Sequence, residues 1–163
     1  MDNEVLQQQA KATFETLCYA LEAEELKFER NDEELTVNFG VQGDDIPIRL
    51  TFRVDPKAQV VSLFSFLPFH VKEDKRVEAA LAVTFANYGF INGSFDYDIT
   101  DGKILFRMVS SFRDSLLGEE LFAYMLHATV SVVDRYNDKF MMISNGMFTF
   151  QQFVEWEQQQ RNN

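Results

Sequence analysis

Apolar side chains at Val5, Leu6, Ala10, Phe14, Leu17, Cys18 and Leu21 recur every three or four positions. That spacing predicts a helix over residues 3–22 with one stripe for a core. The acids of EAEE (22–25) follow at the pole where a helix dipole disfavours negative charge, so the helix is expected to stop near Ala23 with those acids in solvent. The period then drops to two. Leu26 and Phe28 alternate with Lys27 and Glu29. Leu35, Val37, Phe39 and Val41 alternate with Thr36, Asn38 and Gly40. Ile46, Ile48, Leu50, Phe52 and Val54 alternate with Pro47, Arg49, Thr51 and Arg53. The turn-rich NDEE, GDD and DPKA lie between the runs or after them, which predicts antiparallel strands with one wet face. Pro47 has no N–H for a ladder and belongs at a strand start or an edge.

The next run, QVVSLFSFLPF, is apolar on both sides: Val60, Ser62, Phe64 and Phe66 point one way, Val61, Leu63 and Leu67 the other. Such a strand needs cover on both faces. A second helix is expected at about 73–88, with Val77, Ala80, Leu81, Thr84, Phe85 and Tyr88 on one side, Gly89 as its left-handed stop and Phe90 packing back over the last turn. Two further alternating runs, Phe95/Tyr97 and Ile104/Phe106/Met108, flank DITDGK, where Gly102 supplies positive φ for a hairpin corner. A long helix follows, capped by Asp114 or Ser115, with Glu119 and Glu120 near its positive pole and an apolar stripe from Leu121 to Tyr136. It is expected to end at Asn145–Gly146. Thr149 and Gln152 have the spacing of a capping box opening a short final helix, 150–158, anchored by Phe153 and Trp156, and EQQQRNN should fray.

Asp96, Asp98 and Asp101 raise the question of a calcium loop. An EF-hand loop needs acids at every second position, a glycine after the third and a late glutamate. Here the third acid is displaced and no glutamate closes the loop, so the hairpin reading is preferred to a metal site.

Composition narrows the class. The 163 residues fit one domain, 1–163, and 46% hydrophobic content with 17 Phe against 7 Gly and 3 Pro implies an aromatic core, not a disordered chain. Fifteen basic and 26 acidic residues leave a net charge of −11, which repels phosphate backbones and anionic lipid, so neither nucleic acid nor membrane is expected as a partner. A single cysteine, Cys18, excludes an internal disulfide and falls on the apolar side of the first helix as a buried thiol. MDNEVLQQQ lacks a basic start and an apolar run, and no stretch reaches 18 apolar residues, which points to a cytoplasmic protein.

The chemistry is sparse. His127 sits mid-helix beside the apolar stripe, and His70 lies in a connection near Glu73 and Asp74; two histidines so separated make no ligand set. GVQGDD leads into a strand and is too sparse for a dinucleotide fingerprint. No catalytic residue, cofactor or metal site is assigned, and an enzyme is not expected. Arg49, Arg53, Arg107 and Arg113 suggest either a basic patch on the wet side of the sheet or, as the preferred reading, pairing with the many acids.

NYGFINGSFDYDITDGKILFR, then EELFAYMLHATVSVVDRYNDKFMMISNG and the capped TFQQFVEW, in the order helix, four strands, helix, hairpin, helix, short helix, resemble the YbjN family. The wording matches best over 85–156. The resemblance implies the type III secretion chaperone-like fold: an α+β domain of order α-β-β-β-β-α-β-β-α-α, with helices on one face of a curved antiparallel sheet, paired as a homodimer. Secretion chaperones of this shape do no chemistry and hold extended segments of other proteins, and YbjN members are described as sensory-transduction regulators. No family functional residue carries over. The expected function is a non-catalytic, chaperone-like or regulatory interaction module, a homodimer that binds a protein client. Val61, Leu63 and Leu67, or their opposite-face neighbours Phe64 and Phe66, are the candidate interface, the alternative being a sheet curled enough to bury them internally, and Leu63→Asp is expected to dissociate a dimer without unfolding it. The alternative is a small-molecule sensor with a cavity lined by phenylalanines and by Met108, Met125, Met141, Met142 and Met147.

Overall fold

The computed structural model describes residues 3–162. Helix α1 (Asn3–Ala23) leads into strands β1 (Phe28–Asn31), β2 (Thr36–Gln42), β3 (Pro47–Asp55) and β4 (Val60–His70). A 3-10 turn at Glu73–Lys75 opens α2 (Arg76–Tyr88), and β5 (Ser94–Asp98), β6 (Lys103–Ser111), α3 (Glu119–Ser144) and α4 (Phe150–Asn162) complete the order read from the sequence. The six strands form one antiparallel sheet, β1-β2-β3-β4-β6-β5.

Short polar side chains make the corners. Asn31 Oδ1 accepts from the N–H groups of Glu33 and Glu34, and Asp55 Oδ1 from those of Lys57 and Ala58. In the β5–β6 hairpin Asp98 Oδ1 accepts from the Thr100 N–H and hydroxyl, Asp101 Oδ1 accepts from the Lys103 N–H, and Asp96 pairs with Arg107 at 2.8 Å. These bonds hold the Asp98 and Asp101 carboxyls below the usual carboxylate range, Thr100 acting most on the first and the Lys103 amide on the second. All three acids are therefore committed to hairpin geometry. Gly102 has φ +81, and a Cβ there would fall 2.3 Å from the Val71 carbonyl oxygen, so only glycine fits.

One sheet face carries Val37, Leu50, Phe52, Val61, Leu63, Ile104 and Phe106, all buried. Helices α1, α2 and α3 cover it, α1 toward β3, α3 across β4 and β6, and α2 over β5, with α4 packed on α2. At the α3 end the core is aromatic: Phe95, Phe106, Tyr136, Phe140 and Phe153 meet edge to face, tilted or stacked at 5.0–6.3 Å.

Several local expectations need correction. Gly89 has φ −88 and is not a left-handed stop; the positive φ falls at Gly93, under the Phe106 ring. Phe90 packs on Phe95, Phe106 and Tyr136. Asp114 and Ser115 do not cap α3, whose N-cap is Gly118, although Glu119 and Glu120 do occupy its first turn. The predicted stop of α3 is present: Gly146 has φ +70, and the Met147 N–H reaches back to the Met142 carbonyl. The Thr149–Gln152 capping box also forms, each backbone N–H bonding the other's side chain, and Glu78 Oε1 accepts the Phe150 N–H beside it. Helix α4 runs past 158 because Arg161 binds Glu157 and the Phe85 carbonyl and lies over the Phe85 ring. Of the end expected to fray, Asn163 lies outside the described residues, as do Met1 and Asp2 of the N-terminal reading.

Candidate protein-docking face

The helices leave the second face of the sheet uncovered. Alternation places Asn38 and Gly40 of β2, Arg49, Thr51 and Arg53 of β3, Ser62, Phe64 and Phe66 of β4, and Leu105, Arg107 and Val109 of β6 there. Phe64 is half-buried, while Phe66 is 47% exposed and meets Phe64 edge to face at 5.9 Å. Val61, Leu63 and Leu67 occupy the other face and are buried under the helices, so they are core and not interface. The candidate interface contracts to Phe64 and Phe66.

The sheet is split on this face. Pairing of β3 with β4 stops at Thr51–Phe64, although both strands continue, and β4 also leaves register with β6 between Phe66 and His70. The Gly43 N–H bonds the Ile46 carbonyl and the Val54 N–H bonds the Leu35 carbonyl, so even-numbered β3 residues aim their main-chain groups at β2. By the alternation of an antiparallel ladder, Pro47, Arg49 and Thr51 aim theirs at β4, and Phe64, Phe66 and Pro68 aim theirs at β3. Continuing the observed register would set Arg49 against Phe66 and then Pro47 against Pro68. Two prolines facing each other contribute no donor, so the ladder cannot close there. The result is a trough of about 1300 Å³ running from Lys27–Glu29 at the β1 edge to Phe66–Pro68. A smaller hollow of about 280 Å³, walled by Arg53, Asp55, Asp96 and Arg107, adjoins it and shares Phe64 and Phe66.

The charges on this face differ from the pairing expected. Arg107 is bound by Asp96, but among the described residues Arg49 and Arg53 have no acid within ion-pair distance. Arg113 lies exposed beyond β6, away from the hollow. Other candidate groups are engaged or inert. His127 Nε2 lies 2.9 Å from Glu24, and His70 Nδ1 lies 3.2 Å from the Asp101 carbonyl oxygen. Burial pushes the Cys18 thiol up to about 11. Met108 and Met125 are core and Met147 is exposed; the lining of these two hollows includes phenylalanines but no methionine.

Sequence reasoning missed a second surface. The bulky residues assigned to the core side of α2 point outward: Val77 is 68%, Leu81 50% and Tyr88 88% exposed, and Ile91 just beyond is fully exposed. Ala79, Ala82, Val83 and Ala86 face inward. A run of alanines at helical spacing was the signal available, because small side chains let a helix sit close to its neighbours.

No curated protein matches this chain. A family model, "YbjN: Putative bacterial sensory transduction regulator", matches residues 13–141. The chain belongs to the YbjN family. The match ends before α4, so the capped TFQQFVEW segment lies outside it. Among solved structures, this YbjN-family chain is similar to "Crystal structure of YbjN, a putative transcription regulator from E. coli", with TM-score 0.58, 12% identity, and 77% of this chain and 92% of that one covered. It is also similar to a chain of the ExsC–ExsE complex (TM-score 0.51, 15% identity, 77% and 90% covered). A chain of the HopA1–SchA chaperone–effector complex is a further match (TM-score 0.52, 15% identity, 77% and 92% covered). The fold is the type III secretion chaperone-like one, an α+β arrangement of a six-stranded antiparallel sheet and four helices.

Proposed function

We propose that this YbjN-family protein is a non-catalytic, regulatory or chaperone-like interaction module that holds a protein partner on its open sheet face and acts as a homodimer. The observation that carries the reading is the uncovered pair Phe64 and Phe66 beside a trough of about 1300 Å³ in a split sheet. Exposed aromatics next to unpaired strand backbone have the composition of a peptide-binding surface. The chaperone–effector complex among the structures of like fold supports the same direction. A non-catalytic role agrees with a buried, protonated Cys18 and with histidines engaged separately at Glu24 and at Asp101.

The homodimer is assigned to α2. A helix apolar on its inner and outer sides is one that is buried on both. Val77, Leu81 and Tyr88 form an outward stripe at helical spacing, and such a stripe can pair with its own copy about a two-fold axis. Sedimentation should give twice the 19.0 kDa chain mass for the protein and the single mass for Leu81→Asp. A monomeric wild-type protein would remove the dimer.

The partner reading is tested by capture from native cells under mild conditions with quantitative mass spectrometry, using the wild-type protein and Phe66→Asp. A stoichiometric partner lost in Phe66→Asp, with the fold kept, is the expected result. A partner held equally by both, or none held by the wild type, overturns the reading.

A further inference from the structure

The open face also specifies what the partner segment must look like. On the two lips of the β3–β4 split, Arg49 and Phe66 each turn an N–H and a C=O into the trough, and Pro47 and Pro68 each turn a carbonyl with no donor of their own. A donor-poor cleft calls for an occupant with main-chain N–H groups, which is an extended strand and not a helix, whose donors are used internally. The side chains around it set the rest. Phe64 and Phe66 offer an apolar wall.

The charge is less obvious, because the chain as a whole is acidic. In the trough Lys27 and Arg49 face only Glu29. In the adjoining hollow Asp96 is bound by Arg107, and Arg53 and Asp55 share the walls without an ion pair, so its charges balance and the surplus comes from the trough. The uncompensated charge on this face is therefore positive, an island on a surface whose net charge is −11. A short carboxylate-bearing segment gains at the island, whereas a long polyanion is repelled by everything around it.

We infer that the split takes an extended, acidic segment of the partner in which carboxylates alternate with apolar side chains. Its N–H groups meet the carbonyls of Pro47 and Pro68, one carboxylate pairs with Arg49, and its apolar side chains pack on Phe64 and Phe66. Arg–carboxylate pairing is charge-assisted and directional, so it supplies selectivity while the apolar contacts supply area. The inference rests on the open face being the docking face proposed above, and names what docks there.

The test uses the full-length protein and two labelled decapeptides of alternating leucine and glutamate or leucine and lysine, followed by fluorescence anisotropy at about 0.15 M salt, where long-range repulsion is screened beyond ~8 Å. The glutamate peptide should bind at least about tenfold more tightly, a difference of ~1.4 kcal/mol. Arg49→Glu should reverse the preference, and Arg113→Glu, outside the trough, should leave it unchanged. Amide exchange on the wild-type protein supplies an independent readout: the Arg49 and Phe66 N–H groups should exchange quickly in the free protein and slow when the glutamate peptide is added. Equal binding of the two peptides, a lysine preference, no binding of either, or Arg49 and Phe66 amides already protected in the free protein each overturns the inference. If the Phe66-dependent partner is still captured, the interaction module stands without it; if that partner is lost too, both readings fall.

Discussion

Leu63 and Phe66 lie three residues apart on β4 and on opposite faces of the sheet, so aspartate at each position separates core from docking face. Leu63 is fully buried and sits between Phe52 of β3 and Met108 of β6. Leu63→Asp loses a buried leucine, about 1.5–3 kcal/mol, and inserts a carboxylate with no partner, which adds several more. A total of ~4–5 kcal/mol or above is a large share of the ~5–15 kcal/mol that holds a domain together. Phe66 is half exposed, so its aspartate stays hydrated; the loss is the edge contact with Phe64, ~0.5–1.5 kcal/mol, and some partial burial. The two variants should thus differ by ~3 kcal/mol or more. Urea unfolding followed by far-ultraviolet circular dichroism resolves this easily, because a slope of ~1–3 kcal/mol/M turns it into a midpoint difference of about 1 M or more. Midpoints that agree would refute the face assignment. So would a folded Leu63→Asp that has merely become monomeric, the outcome expected from the sequence before the helices were seen to cover that face.

Three other outcomes follow from the packing. Tyr136 donates to Glu157 at 2.6 Å in a buried site, so Tyr136→Phe should cost ~2 kcal/mol and lower the melting temperature by ~4–8 °C in calorimetry, and an unchanged melting temperature would dismiss the bond. The Lys75 ammonium, and after it the Phe150 N–H, hold the Glu78 carboxyl below its usual value. A carboxyl depressed on folding contributes stability that is full above the unfolded-state value, about 4.3, and is lost as pH falls through the folded one. Glu78→Gln should therefore flatten the decline in urea midpoint between about pH 5 and pH 3, modestly because the site is partly exposed; a slope equal to wild type would contradict this. Cys18, buried with its thiol pushed up to about 11, should resist an aromatic disulfide reagent at about pH 8 in the folded protein and react fully in urea; rapid native labelling would place it at the surface.

Strand order along the chain was legible because alternation and turn chemistry agreed. Asn31, Asp55 and Asp98 sit where their carbonyl or carboxylate oxygens can take the next backbone amides, a local matter that needs no tertiary knowledge. The capping box at Thr149 and the Gly146 stop were legible for the same reason. What periodicity could not say is which of two apolar sides meets the core. On β4 it separated Val61, Leu63 and Leu67 from Phe64 and Phe66 without telling which set the helices cover. On α2 it followed bulk and chose Val77, Leu81 and Tyr88, whereas the alanine side packs inward and the bulky side is left out. Pro47 was legible as a strand start, but its alignment with Pro68 exists only once the β3–β4 register is fixed. The length of α4 was hidden likewise, since Arg161 is held by Glu157 and by the Phe85 carbonyl of another helix.

The central claim, that the open face of the sheet is where a protein partner sits, is tested most directly by replacing Phe66 with a photoreactive phenylalanine analogue and irradiating native cells. The same analogue at Tyr19, exposed on α1, is the control. One dominant cross-linked protein from position 66, absent from position 19 and lost when Arg49→Glu is added, is the predicted result. Cross-links that are equal at both positions, or that arise from position 19 alone, would contradict it.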